Sequence, residues 1–361
     1  MLPNALDRLV TIEFDDLCSS DPLLRGNLLQ SLEKAYGHEG LGILAVAGVP
    51  SFPELRQKLL PLTAQFAALP EGVRESYADP ASSYSFGWSH GKEALDGGQL
   101  DLLKGSFYAN PMQDNEDMEA HLRQQYPSYC RPNIWPEKHL PQLRLVFQAL
   151  GQLMALVGER VAALCDLYML QKGMQPCSGT LQEIVARGRP CYKARLLHYF
   201  TNPDCSKQAP GLQPAWCGWH TDHSSLTGLA SAMYMRDGEQ IPNPDSASGL
   251  YIRDQRGRAV QVRVPEDHIA FQMGEAMQIH SGGLLQATMH CVKGAAGPAA
   301  VDVTRHSFAV FMQPRWDQPM EIPSGAEAAK VGVGQWRPGL DFGQFSELTV
   351  QQYYSNGNVK T

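Results

Sequence analysis

Several signatures are missing from this 361-residue chain. No Cys-x-x-Cys pair occurs among its eight cysteines, Cys18, Cys130, Cys165, Cys177, Cys191, Cys205, Cys217 and Cys291. Structural zinc is therefore not expected, and scattered thiols in a chain this long read as reduced. No apolar run is long enough to span a bilayer. No phosphate loop of the Walker type is present, and no Gly-x-Gly-x-x-Gly opens a helix after a strand. Basic residues form no stripe and the net charge is −7, which argues against a nucleic-acid partner. The opening residues, MLPNALDRLVTIEFDD, carry acids early and no apolar stretch, unlike a signal or transit peptide. The expectation is a cytoplasmic protein that engages neither membrane nor nucleic acid.

What is present suits a large packed core, since 43% of the residues are hydrophobic. The texture changes near residue 190. Before it, helical periodicity dominates. Val146, Leu150, Leu153, Val157, Val161 and Leu164 step by three and four, which predicts an amphipathic helix between Pro141 and Gly173. Two further helices are expected, over PLLRGNLLQSLEKAYGHEG and over SFPELRQKLLPLTAQFAALP, the latter disturbed at Pro61. Short strands are expected at LVTIEFDDL and LGILAVAGVP. After residue 190, YKARLLHYF, SGLYIRD, AVQVRV, IAFQMG, ATMHCV and RHSFAVFMQP are short, rich in branched and aromatic residues, and separated by turn formers. They predict an antiparallel sandwich or barrel. The expected division is a helix-rich N-terminal region with a short strand pair over 1–175, a β-rich core over 176–320, and a C-terminal tail over 321–361, ordered in part at best.

Chemistry concentrates in GWHTDHSSLT, residues 218–227. If this stretch is extended, His220 and Asp222 share a face and His223 points away. An imidazole and a carboxylate two residues apart are two metal ligands at a fixed angle. A further histidine would complete the 2-His-1-carboxylate set of non-haem Fe(II) oxygenases. His268 and His280 sit in turn-like sequence, whereas His290 sits in a strand-like run. A strand holds a ligand more rigidly, so His290 is preferred and His280 is the alternative. Farther on, Arg305 and Ser307 share a strand face, with His306 opposite. An arginine fork beside a hydroxyl is a receptor for a carboxylate.

The same stretches carry a family resemblance. SFGWSHGKEALDGGQLDLLKGSFYAN, RLLHYF, WHTDHSSLTGL, GLYIRDQRGRAVQV, IAFQMGEAMQIHSGG, ATMHCV and RHSFAVFMQP resemble, in order, segments of the isopenicillin N synthase-like group of Fe(II)- and 2-oxoglutarate-dependent dioxygenases. The resemblance implies a mainly β fold with flanking helices, a double-stranded β-helix or jelly roll preceded by a helix-rich region. It implies that His220, Asp222 and His290 hold the catalytic iron. It further implies that Arg305, Ser307 and Tyr199 hold the far carboxylate of 2-oxoglutarate. Fe(II), 2-oxoglutarate and O2 would be the cofactor and co-substrates, with ascorbate as a reductant. The implied reaction oxidises a C–H bond of a small organic substrate, by hydroxylation or desaturation, and releases succinate and CO2. Two other readings stay open: an iron oxygenase of this fold that does not use 2-oxoglutarate, and a non-catalytic binding protein on the same scaffold. The sequence departs from the group at Phe200, where proline is usual, and at Trp219. It also carries longer loops at 233–248 and between His290 and Arg305. The substrate pocket is expected to draw on Tyr84, Trp88, Trp219 and the 233–248 loop.

Overall fold

The computed structural model describes residues 9–92, 100–203, 205–207 and 215–355. Glu93, the acid of the Gly-x-Glu element in SFGWSHGKEALDGG, lies outside them. Among the described residues thirteen strands form two sheets: β1 (Val10–Glu13), β2 (Ile43–Ala47), β3 (Gly87–His90), β4 (Lys104–Ala109), β5 (Lys193–Tyr199), β6 (Ala215–His220), β7 (Leu226–Arg236), β8 (Glu239–Ile241), β9 (Gly249–Arg253), β10 (Ala259–Val262), β11 (Ile269–Met273), β12 (His290–Lys293) and β13 (Thr304–Met312). The large sheet runs β1-β2-β11-β7-β13-β5-β4-β3, with β8 beside β7, and the small sheet runs β10-β9-β12-β6. The eight strands β5–β7 and β9–β13 divide four and four between the sheets, the arrangement of a jelly roll. The N-terminal strands extend the large sheet at both edges, and β1–β2 is a parallel pair.

Helices cover the outer face of the large sheet. The helix Gln142–Gln171 buries Leu150, Val157, Val161 and Leu164, four positions of the periodic stripe, while Val146 and Leu153 are half-buried. Two glycines seven residues apart let this helix approach the sheet. A Cβ on Gly158 would sit 2.3 Å from Met312 Sδ, and one on Gly151 would sit 2.4 Å from Pro111 Cβ. The helix Pro22–Tyr36 starts where Asp21 accepts from the Leu23 amide, and it stops before Gly37, short of the expected Gly40. The helix Phe52–Ala67 runs through Pro61. The expected C-terminal tail contains regular structure among its described residues. It carries the helix Phe342–Ser355, whose Phe342 and Phe345 are fully buried with Tyr129, Cys130 and Trp316. Among the described residues no helix is long and apolar enough to cross a membrane.

One irregularity of the large sheet bears on the carboxylate pocket. On β13, His306 pairs with Met233 of β7, but Phe308 pairs with Ala230. Ser231 and Ala232 therefore oppose Ser307 alone, which is a β-bulge. A bulge interrupts the ladder and leaves backbone carbonyls to be satisfied elsewhere. Arg56, which is 3% exposed, supplies the donors from the helix Phe52–Ala67. Its Nε donates to the Ser231 carbonyl at 2.9 Å and its Nη2 to the Ala232 carbonyl at 2.9 Å. The guanidinium thus pins the bulge opposite Ser307.

Replacing Arg56 by Met should strand two buried carbonyls. Each costs about 1–3 kcal/mol when left unsatisfied. Urea unfolding should show a stability loss of at least that size. An unchanged midpoint would mean that the bulge carbonyls find other donors.

Candidate metal centre and carboxylate pocket

β6 ends at His220, and His290 begins β12 directly opposite it in the antiparallel register. Their ring centroids are 4.2 Å apart. The His-x-Asp spacing predicts Asp222 on the same strand, but the strand ends at His220 and Asp222 lies in the loop beyond it. Two hydrogen bonds fix it there. Its backbone carbonyl accepts from the Glu275 amide at 2.8 Å, and its Oδ2 accepts from the Thr227 hydroxyl at 2.6 Å. Its Oδ1 is left facing the imidazoles, 3.7 Å from His220 Nε2 and 3.8 Å from His290 Nε2. One donor atom from each residue lies within 4.8 Å of the others. Two imidazole nitrogens and one carboxylate oxygen this close together are a donor set suited to Fe(II).

The second nitrogen of each imidazole is also engaged. His220 Nδ1 donates to the Gly218 carbonyl at 2.8 Å, which leaves its Nε2 as the ligating atom. The Gln272 amide nitrogen lies 2.6 Å from His290 Nδ1, while the Gln272 Oε1 is buried without a partner. Turning that amide over pairs its oxygen with Nδ1–H and frees Nε2 for an ion, the usual outer support of a metal-bound histidine. Gln272 and Thr227 are register partners on β11 and β7. One cross-strand pair of the large sheet therefore reaches both Asp222 and His290.

Electrostatics keep Asp222 anionic. Burial would raise its carboxyl, but His290, His220 and the Thr227 hydroxyl hold it below the ordinary range. Burial and the neighbouring His220 push His290 down to about 4, against the pull of Asp222. Burial also acts to lower His220, but the Cys217 thiolate, Asp222 and the Gly218 carbonyl outweigh it and raise it to about 9.

The other histidines stand apart. His280 ends the short helix Glu275–His280 rather than a turn, and its Nε2 lies 3.1 Å from the Pro319 carbonyl. His223 meets the Gln313 side chain at 3.2 Å and stacks on Phe342. His306 Nε2 lies 2.9 Å from the Thr304 hydroxyl, and its ring packs on His198.

Arg305 lies on β13 between Tyr199 of β5 and Tyr234 of β7. Its Cζ is 4.8 Å from the centre of the Tyr199 ring. The side chain is 7% exposed, and its Nε and Nη1 are buried with no hydrogen-bond partner. A buried guanidinium in that state demands an anion, and a carboxylate matches its fork. Ser307 lies two residues farther along the same strand, opposite Leu197. Burial raises the Tyr199 phenol, with Arg305 opposing, so the hydroxyl remains a donor.

One expectation for the pocket wall changes. Trp88 lies on the outer side of the sheet, buried against Phe66 and facing Phe107 across the β3–β4 pair. Trp219 stacks under Arg253, whose Cζ is 4.6 Å from its ring. Phe200, at the usual proline position, packs between His90 and His198. The run GWSHG, residues 87–91, has the spelling of a hydrolase nucleophile elbow. It is a straight strand whose Ser89 pairs with Ser106, with no strand-to-helix turn. Thr227 and Gln272 are the supporting residues that sequence reading misses.

Residues 10–138 match the family model for the N-terminal region of the non-haem dioxygenase in morphine synthesis. No curated protein sequence matches. The fold is that of solved 2-oxoglutarate and Fe(II) oxygenases. A full-length Neurospora crassa protein solved in complex with alpha-KG superposes with a TM-score of 0.68 at 19% identity, over 98% of this chain and 99% of that one. A Caulobacter crescentus protein assigned to the 2OG-Fe(II) oxygenase family gives 0.70 at 16% identity, over 95% and 98%. The rice dioxygenase for auxin oxidation gives 0.62 at 16% identity, over 95% and 95%.

Thr227→Val and Gln272→Leu should each weaken metal binding by about 10–100-fold, the usual effect of removing a ligand's outer partner. Mn(II) titration of the purified protein measures this. His290→Ala should abolish binding, and His280→Ala should leave it unchanged. Loss of Mn(II) in His280→Ala with retention in His290→Ala would reverse the assignment.

Proposed function

We propose that this chain, which has the fold of the 2-oxoglutarate and Fe(II) oxygenases and an N-terminal region matching a non-haem dioxygenase family, is itself such an enzyme. It would oxidise a C–H bond of a small organic molecule and release succinate and CO2. The observation that carries the reading is a pair of demands in one jelly roll: an open two-histidine, one-carboxylate cluster, and a buried guanidinium whose Nε and Nη1 lack partners.

His220 and His290 would hold the ion through Nε2 and Asp222 through Oδ1. Arg305 would grip the far carboxylate of 2-oxoglutarate, with Ser307 and Tyr199 adding hydroxyl donors. When bound, iron with 2-oxoglutarate and O2 supplies the oxidising power, and ascorbate would keep the iron reduced. The protein's own part is positional. Thr227 keeps Asp222 Oδ2 occupied and Oδ1 free. Gly218 and Gln272 set the tautomers of the two imidazoles. The buried β5–β13 pair keeps water from the Arg305 fork, where an ion pair is worth more than in solvent. The eight unpaired cysteines suit a reducing compartment, so we place the protein in the cytoplasm.

A second reading has one observation in its favour. Arg305 demands a carboxylate, but a substrate could supply it in an iron oxygenase that does not use 2-oxoglutarate. The Fe(II)-loaded protein, titrated anaerobically with 2-oxoglutarate, decides between them through its metal-to-ligand charge-transfer band. Wild type should develop the band. Arg305→Leu removes charge-assisted hydrogen bonds worth about 1.5–3 kcal/mol, so it should need about ten to a hundred times more 2-oxoglutarate. Equal titrations would remove Arg305 from its role, and no band in wild type would favour the second reading.

A further inference from the structure

The face of β5 and β13 that looks away from Arg305 also carries polar side chains. His198 of β5 stands opposite His306 of β13. Both are one residue out of phase with Tyr199 and Arg305, so their rings lie on the outer face of the large sheet. The ring centroids are 4.9 Å apart. His306 has the Thr304 hydroxyl beside its Nε2. His198 is 4% exposed, yet among the described residues neither of its ring nitrogens has a hydrogen-bond partner. A buried imidazole left in that state costs stability, and nothing in the proposed oxygenase chemistry uses it.

The missing partner has room. A cavity of about 300 Å³ opens beside His198, enough for a small ligand. Its floor is apolar, with Ala64 and Ala67 from the end of the helix Phe52–Ala67, Phe200 after β5, and Met235 of β7. Two exposed carboxylates stand at its mouth. Asp237 comes from the turn between β7 and β8, and Asp302 from the loop before β13. Among the described residues neither forms an ion pair, and no lysine or arginine lines the cavity. Arg236, next to Asp237, is turned to the Ala299 and Val301 carbonyls, and Arg74 donates to the Ala67 carbonyl. The C-terminal end of the helix adds partial negative charge.

Burial, with His90 and Arg74 adding, pushes the His198 imidazole down to about 4. At neutral pH it is uncharged and offers one nitrogen as an acceptor. The lining thus combines two anions, a neutral acceptor and an apolar floor, and holds no cation. A single metal ion does not answer that arrangement. Among the described residues the His220, Asp222 and His290 cluster is the one set of three close enough to hold an ion. An organic cation does answer it, because its charge and its apolar body reach different walls.

We propose that this cavity is a second binding site, for a small organic amine in its ammonium form. The N–H groups donate to His198 and to Asp237 or Asp302, and the apolar body lies on Ala64, Phe200 and Met235. The site stands back to back with the Arg305 pocket on the same two strands, and it does not depend on the oxygenase reading.

The test compares benzylamine with benzyl alcohol, and butylamine with 1-butanol. They are titrated calorimetrically at neutral pH into protein with Mn(II) and 2-oxoglutarate saturating, so that the metal centre and Arg305 are not open to them. Each amine should bind about tenfold more tightly than its alcohol, the worth of one charge-assisted hydrogen bond. The double variant Asp237→Asn, Asp302→Asn should erase that preference. Asparagine tolerates the positive φ of 52° and 59° at these positions. His198→Phe, which keeps a ring and removes the acceptor, should weaken the amine about tenfold. Ala64→Leu and Ala67→Leu each fill the cavity from a half-buried position and should abolish amine binding. Unchanged far-UV circular dichroism certifies each variant's fold, and two blocking variants keep the result from hanging on one. Equal binding of amine and alcohol to wild type overturns the assignment. So does amine binding that survives in both blocking variants, or no amine binding at millimolar concentration.

Discussion

The site depends on two cross-strand pairs that face each other through the roll. On the small sheet His220 stands opposite His290. On the large sheet Thr227 stands opposite Gln272. The first pair brings the imidazoles together. The second reaches back to hold Asp222 and His290 from behind. A slip of one residue in either pairing would turn these side chains to the wrong face, so register and metal geometry are one constraint. The apolar side chains on the outer face of the same strands help to fix that register. Gly228 sits against Met154 and Phe271, and Phe308 against Phe147. The helix Gln142–Gln171 thus packs on the outer face of β7, one strand of the Thr227–Gln272 pair.

The carboxylate pocket is built on the opposite principle, with demand left unmet inside the protein. Arg305 keeps two nitrogens idle, and such idle groups cost stability until a ligand satisfies them. The fold compensates nearby. Arg56, equally buried, has its Nε and both terminal nitrogens engaged, two of the three on the bulge carbonyls. Two buried guanidinium groups close to the same bulge thus have contrasting states, one with all three nitrogens engaged and one with Nε and Nη1 unpartnered. Neither residue type nor burial separates the two.

The fold is legible in the sequence to the extent that periodicity is local. The stripe from Val146 to Leu164 locates the longest helix, and the alternating runs after residue 190 locate the strands of the roll. Order along the chain suggests the grouping of His220, Asp222, His290, Arg305 and Ser307, and the structure brings the first three together. What stays hidden is set by long-range register. Nothing near Thr227 or Gln272 in the sequence says that they face one another or which ligands they touch. The bulge at Ser231 and Ala232 has no sequence mark either, because a bulge is a mismatch between two strands and belongs to neither. The helix Phe342–Ser355 is hard to see in the sequence because its core partners, Tyr129 and Trp316, are remote along the chain.

The run GWSHG shows the same limit from the other side. Its spelling is that of a nucleophile elbow, a motif whose chemistry needs a sharp turn that lifts the serine above a sheet. Here the residues pair along β4, with Trp88 packed into the helical layer and Ser89 against Ser106. A motif carries chemistry only through the backbone that presents it. Asp222 makes the converse case. Its spacing from His220 suggests a shared strand, and it lies in a loop. Its carboxylate still faces both imidazoles, because Thr227 and the Glu275 amide hold the loop in place of the missing ladder. The chemical grouping survives a change of local conformation, since hydrogen bonds from elsewhere in the chain enforce it. The spacing His-x-Asp therefore reports a geometry that more than one backbone can supply, whereas Gly-x-Ser-x-Gly reports one that a single backbone must.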